Sequence, residues 1–206
     1  MLQPLRLASV DGGEEQGGDI RFVDVPGIAP LTIRGRNLRF RPDTHELEAL
    51  SGYSQFGHAF DAWGRRFLSW NTVHIREEIL SPRDLERHPS LASTETAASI
   101  SDHGDSARIY AIVPPPRTFN NEPTDHFNAS CGLTVETGGI FPPTHRGNAF
   151  LCEPLVGIVH RDVLDAGPGA ALVARRGRGP GETAGKEAEF LASTDPWFHP
   201  VNLRSG

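Results

Sequence analysis

The sequence predicts an all-β fold built from short antiparallel strands. Apolar runs are brief and broken by Gly, Pro, Asn or Asp, and no long stretch carries the roughly 3.6-residue apolar period of an amphipathic helix. The chain also holds 22 Gly and 17 Pro among 206 residues, well above the roughly 12% that these two average together, so turns are frequent. With 20 basic against 26 acidic residues and a formal charge of −6, it lacks the basic surplus that neutralises phosphates, and nucleic acid is excluded as the expected partner. No run approaches the roughly 18 apolar residues of a membrane span, and residues 1–10 are too short and interrupted for a signal peptide.

Residues 37–41 and 46–50 read as the arms of a hairpin, because Pro42-Asp43 supplies turn chemistry between them. A second hairpin follows, with 56–60 and 65–70 joined by the turn Asp61-Ala62-Trp63-Gly64. One short connector helix is predicted at 81–87: Ser81 can N-cap it, Pro82 suits its first position and Pro89 stops it. Further strands are expected at 108–113, 131–136, 147–152, 157–164, 172–176 and 189–192. If 131–136 and 147–152 pair with residue numbers summing to 283, Cys131 lies opposite Cys152 and Val135 opposite Asn148. The two sulfurs are then within reach of a disulfide, worth roughly 3 kcal/mol in the chain-entropy model. Two free thiols packed as small apolar groups are the alternative.

Aligning Gly57 with Gly132 gives a spacing of 75 residues, and Cys131 with His199 one of 68. Both exceed the roughly 40–50 residues of a simple β-propeller blade, so each unit carries an insertion, at 80–107 and at 177–188. Trp63, Phe60 and Phe67 are expected to pack between blades, and Arg65-Arg66 to be a solvated pair.

The segments Arg34-Gly35-Arg36-Asn37-Leu38-Arg39-Phe40-Arg41-Pro42-Asp43-Thr44 and Ser54-Gln55-Phe56-Gly57-His58-Ala59-Phe60-Asp61-Ala62-Trp63-Gly64 resemble the β-propeller of membrane-bound dehydrogenases. These are distant relatives of soluble glucose and sorbosone dehydrogenases. Ala129-Ser130-Cys131-Gly132-Leu133-Thr134, Arg146 to Pro154, Val159-His160-Arg161 and Glu189 to Leu203 extend the likeness over nearly the whole chain from about residue 20. The resemblance implies an incomplete propeller of about three blades over 20–206, preceded by an irregular segment, 1–19, and the expected reason is a truncated gene product. Relatives are typically longer, with a haem-binding electron-transfer domain, and periplasmic or extracellular. The implied function is that of a fragment of a quinoprotein-like sugar or alcohol dehydrogenase, inactive alone. A non-catalytic propeller that binds carbohydrate or a protein partner is the alternative.

In a propeller the innermost strand of each blade lines the central channel and the next runs back antiparallel. If 56–60 is such a strand, Gln55, His58, Asn71 and His74 gather at the ligand face. The same mapping brings Asn128 and Glu153 there, and places His199 at that rim. Better-known relatives use pyrroloquinoline quinone with calcium, and a histidine removes the hydroxyl proton as hydride passes to the quinone. The resemblance thus implies these cofactors for the complete protein, with His58 as the candidate general base and Gln55, Asn71, His74, Asn128, Glu153 and His199 as candidate cofactor- or substrate-binding residues. Calcium takes six to eight oxygens, roughly, and no dense acidic loop occurs, so the sequence assigns no metal site.

Overall fold

A computed structural model describes residues 8–10, 18–91, 95–114, 123–139, 141–168, 172–177 and 188–204. Among the described residues most regular structure is strand, in several antiparallel sheets, with one α-helix, as the turn-rich composition predicts. Among the described residues no helix is long and apolar enough to cross a membrane. The chain divides into two compact units, Met1–Gln55 with Glu78–Ala97, and Phe56–Glu77 with Ala98–Gly206.

In the first unit, β1 (Ala8–Val10), β4 (Leu38–Phe40) and β5 (Leu47–Ala49) form one sheet, and β2 (Asp19–Ile20) pairs β3 (Leu31–Thr32). The segment 1–19 is therefore not irregular throughout, because Ala8 to Val10 pair with Phe40 to Leu38; residues 1–7 and 11–17 lie outside the described residues. The β4–β5 hairpin forms as expected, with Leu38 opposite Ala49 and Phe40 opposite Leu47. Its turn puts His45 in the left-handed region, φ 57°, where the His45 N–H donates to Arg41 O at 2.9 Å. Buried Asn37 ties the hairpin to its flank by donating to Ser54 Oγ at 2.7 Å and accepting from the Ser54 N–H at 3.0 Å.

The helix α1 (Pro82–Arg87) starts as the sequence predicts. The Ser81 N–H donates to Asp84 Oδ2 at 2.9 Å while the Asp84 N–H donates to Ser81 Oγ, a reciprocal capping box.

A four-stranded sheet runs β6 (His58–Phe60), β7 (Arg66–Leu68), β8 (Arg76–Glu78), β9 (Ala97–Ser99); the chain passes between units within β8 and again within β9. Phe67 is fully buried, but Phe60 and Trp63 are exposed. Asp61 accepts from the Trp63 and Arg65 N–H groups at 2.9 Å each and so holds Trp63 at the tip of a tight turn. The Arg65-Arg66 pair splits. Arg65 pairs with Asp61 at 2.6 Å, and Arg66 is buried.

The second unit is centred on β10 (Cys131–Val135), β11 (Ala149–Glu153), β12 (Ile158–Ala166) and β13 (Leu172–Arg176), paired in that order, with β14 (Leu191–Ala192) also on β12. Of the strands expected at 108–113 and 189–192, the first is reduced to a bridge between Arg108 and His126 and the second to two residues. The insertion expected at 177–188 falls mostly on 178–187, outside the described residues. Phe67, Ile75, Leu133, Val135, Leu151 and Leu172 pack as the main core; each large side chain so buried is worth about 1.5–3 kcal/mol.

Cys131 lies opposite Cys152 as expected, but Val135 pairs with Ala149 rather than Asn148. A bulge intervenes between Cys131 and Thr134, and Gly132 within it has a φ of 63°, in the left-handed region that glycine adopts without strain. A Cβ there would stand 2.8 Å from Asn202 Cα and 2.8 Å from Val201 O. Gly132→Ala is expected to destabilise the chain by about 2 kcal/mol or more, combining left-handed strain with a backbone clash. Urea unfolding checks this, and a midpoint matching the parent's would contradict the close approach.

Candidate metal centre

β12 is nine residues long, long enough to take two strands along one edge. β14 pairs it at Ile158–Val159 and β13 from Asp162 onward. His160 falls in the gap between them. Strand alternation puts His160 and Asp162 on the same face, and both are fully buried. His74 enters from the loop before β8. His103 enters from the turn after β9, which the Asp102 N–H fastens to Ala174 O of β13 at 3.0 Å.

These four residues converge. His160 Nε2 lies 3.0 Å and His103 Nε2 3.7 Å from Asp162 Oδ1, and His74 Nε2 lies 3.1 Å from Oδ2. The set offers four ligand atoms within 4.8 Å of one another. Around a tetrahedral ion, metal–ligand bonds of about 2.1 Å put ligand atoms about 3.4 Å apart, so side-chain movements of up to about 1 Å would close the set around one ion. Phe127, fully buried, stacks on His74 at 4.6 Å between centroids and 18° between planes. His160 Nδ1 is 2.6 Å from Glu189 Oε2, and Glu189 Oε1 accepts from Arg176 at 2.7 Å and from the Tyr110 N–H at 3.1 Å. His103 Nδ1 is 2.8 Å from Asp102 Oδ1.

Burial and charge act in opposite senses across this cluster. Burial lowers the His74 pKa to about 4 against the pull of Asp162, and likewise lowers His103. Burial opposes the charged form of His160 too, but Asp162 and Glu189 together outweigh it and raise its pKa to about 9. Burial would raise Asp162, yet His160 and His74 hold its carboxyl far below the usual carboxylate range. At neutral pH the cluster is therefore a buried imidazolium–carboxylate pair with two neutral imidazoles beside it.

Three imidazole nitrogens and one carboxylate suit zinc, iron, cobalt, nickel or copper. They do not suit calcium, which prefers an all-oxygen cage, so the ion expected from the family resemblance does not fit this cluster.

Of the candidate residues, only His74 belongs to the cluster. His58 is half-buried on β6 with its ring edge-on to Phe60 at 5.9 Å. His199 is exposed and hydrogen-bonds Pro154 O through Nδ1 at 2.7 Å. Glu153 is fully buried and accepts from the N–H groups of Asn128, Ala129 and Leu155 at 2.9, 2.8 and 3.3 Å, which makes it an anchor for the chain entering β10. Asn128 also donates through Nδ2 to Pro123 O at 2.8 Å, and Asn71 accepts through its backbone O from the Ser130 N–H at 3.0 Å. Gln55, in the first unit, is partly buried with no partner for Oε1 among the described residues. Cys131 and Cys152 are free, buried thiols, pushed up to about 12 and about 11 by burial, and pack with Phe150, Val159 and Leu203. His103, His160 and Asp162 were not among the candidates. The alternation His160-Arg161-Asp162 inside a predicted strand was the available signal for two of them.

A family model described as a domain of unknown function (DUF7133) matches residues 12–206, and the chain belongs to that family. No curated protein and no solved structure matches it.

Proposed function

We propose that this chain binds one first-row transition-metal ion between His74, His103, His160 and Asp162, as the metal-holding part of a dehydrogenase-like β-propeller protein. The observation that carries the metal reading is the convergence of three imidazole Nε2 atoms on one fully buried carboxylate. A buried ion pair alone requires one histidine. Three with their nitrogens turned inward form a donor set of the composition that borderline metals prefer.

The propeller and dehydrogenase part is supported by the sequence likeness over residues 34–44, 54–64, 129–134 and 146–154 and by the succession of antiparallel sheets. A sugar or alcohol substrate, a haem-bearing electron-transfer partner, a quinone cofactor in the complete protein and a periplasmic or extracellular location belong to the same proposal.

Chain stripped with chelator is expected to take up one Co(II) per molecule, with visible absorption from imidazole ligation, and to lose that uptake in His74→Ala and His103→Ala. The complete protein, reconstituted with quinone, is then assayed for dye reduction with a panel of sugars and alcohols. No cobalt uptake, or uptake indifferent to both substitutions, removes the metal reading; uptake by the chain without dye reduction by the complete protein retains a metal-binding module and removes the dehydrogenase one.

A further inference from the structure

Metal-ligating imidazoles present the correct nitrogen to an ion when the opposite ring N–H is held by an acceptor, and outer carboxylates are the usual acceptors. Here the three histidines are not equivalent. His160 Nδ1 faces Glu189 Oε2 at 2.6 Å and His103 Nδ1 faces Asp102 Oδ1 at 2.8 Å. Buried His74 has no partner for Nδ1 among the described residues and is fixed by stacking on Phe127.

Resting on the metal reading above, we infer that Glu189 and Asp102 are positioning residues that orient His160 and His103 toward the ion. Glu189 is the stronger of the two. It stands just before β14, which pairs with Ile158 and Val159, and the Arg176 guanidinium and the Tyr110 N–H hold its other oxygen at 2.7 and 3.1 Å. Its carboxylate can rotate little, so the imidazole that donates to it is held with Nε2 facing Asp162. Arg176 NH1 also lies 3.3 Å from His160 Nδ1; since both groups donate, each is satisfied by Glu189 and not by the other. Asp102 does the same for His103 from an exposed turn, with Arg175 at 3.9 Å from its second oxygen. Pre-orientation spares the ion the cost of ordering two rings, and its loss weakens binding without removing a ligand.

The test is Co(II) titration of the metal-free 206-residue chain, with Glu189→Gln, Asp102→Ala and, as a control, Asp105→Ala. Asp105 is exposed on the same turn and accepts from Ser99 Oγ at 2.6 Å. Cobalt affinity is expected to fall about 10- to 100-fold in Glu189→Gln and in Asp102→Ala, with a shift of the visible cobalt bands, and to stay unchanged in Asp105→Ala. Asp102 is on the surface, so its replacement spares the fold and decides the matter should Glu189→Gln fail to fold. Parent-like affinity and bands in Asp102→Ala and in folded Glu189→Gln would overturn the inference and leave the metal centre standing. A parent chain that binds no cobalt overturns both.

Discussion

Asp162→Ala is expected to abolish measurable metal uptake and to destabilise the metal-free chain by about 3 kcal/mol, within the range for breaking a buried ion pair. Asp162 is fully buried at the end of β12's shared edge, with Nε2 of His74 and of His160 at 3.1 and 3.0 Å. Alanine removes the acceptor both rings use and leaves the His160 charge with Glu189 alone. That surviving partner keeps the cost at the lower end of the range. Metal affinity suffers more, because a ligand is lost and not merely its orientation: a fall beyond the roughly 100-fold ceiling for outer-sphere changes is expected. Urea unfolding and cobalt titration on the same preparation separate the two effects. If Asp162→Ala binds cobalt within tenfold of the parent, Asp162 is not a ligand.

Local order was legible where local chemistry decides it. Ser81, Pro82 and Pro89 mark the helix ends, Pro42-Asp43 marks the first turn, and Cys131 against Cys152 follows from the hairpin alternation. The bulge was not legible, because Gly132 is shaped by Val201 and Asn202, about seventy residues on, which approach so closely that a side chain does not fit. The same holds for Trp63, whose exposure is set by the Asp61 hydrogen bonds and not by its hydrophobicity. The cluster was legible in fragments. His74 was a candidate, and His160 and Asp162 sat two apart in a correctly predicted strand. What brings them to His103 and Glu189 is that β12 carries β13 and β14 on one edge with a gap between them. Neither the double pairing nor the gap has a signature in short-range periodicity. His58 was favoured by a mapping onto propeller strands, whereas the convergence depends on loops and a strand edge.

The metal-free chain is expected to be most stable near pH 6.5 and to lose stability on both sides. On the alkaline side, His160 titrates near 9 in the folded chain against about 6.5 unfolded. Between those values the folded state binds more protons, so stability is full below 6.5 and falls as pH rises through 9. Cys131 and Cys152, raised to about 12 and about 11, extend that decline above 9. On the acid side, His74 titrates near 4 when folded, so below 6.5 the unfolded chain binds the extra proton and stability falls as pH drops. The lowered carboxyls of Asp162 and Glu189 steepen the loss at lower pH, while Glu153 and Glu77, raised by burial, oppose it just above 4.5. At about 1.4 kcal/mol per pH unit, each histidine limb amounts to a few kcal/mol, less whatever relaxation of the buried cluster recovers. Urea midpoints from pH 4 to 10 in the presence of chelator measure both limbs, and a His160→Gln chain should lose the decline between 7 and 9. A parent midpoint flat or rising from 7 to 9 contradicts a charged His160. Saturating metal is expected to reverse the slope in that window: the ion displaces the His160 proton, so its affinity grows as protons become scarce, and the cluster that weakens the empty chain at pH 9 then holds the loaded one most tightly.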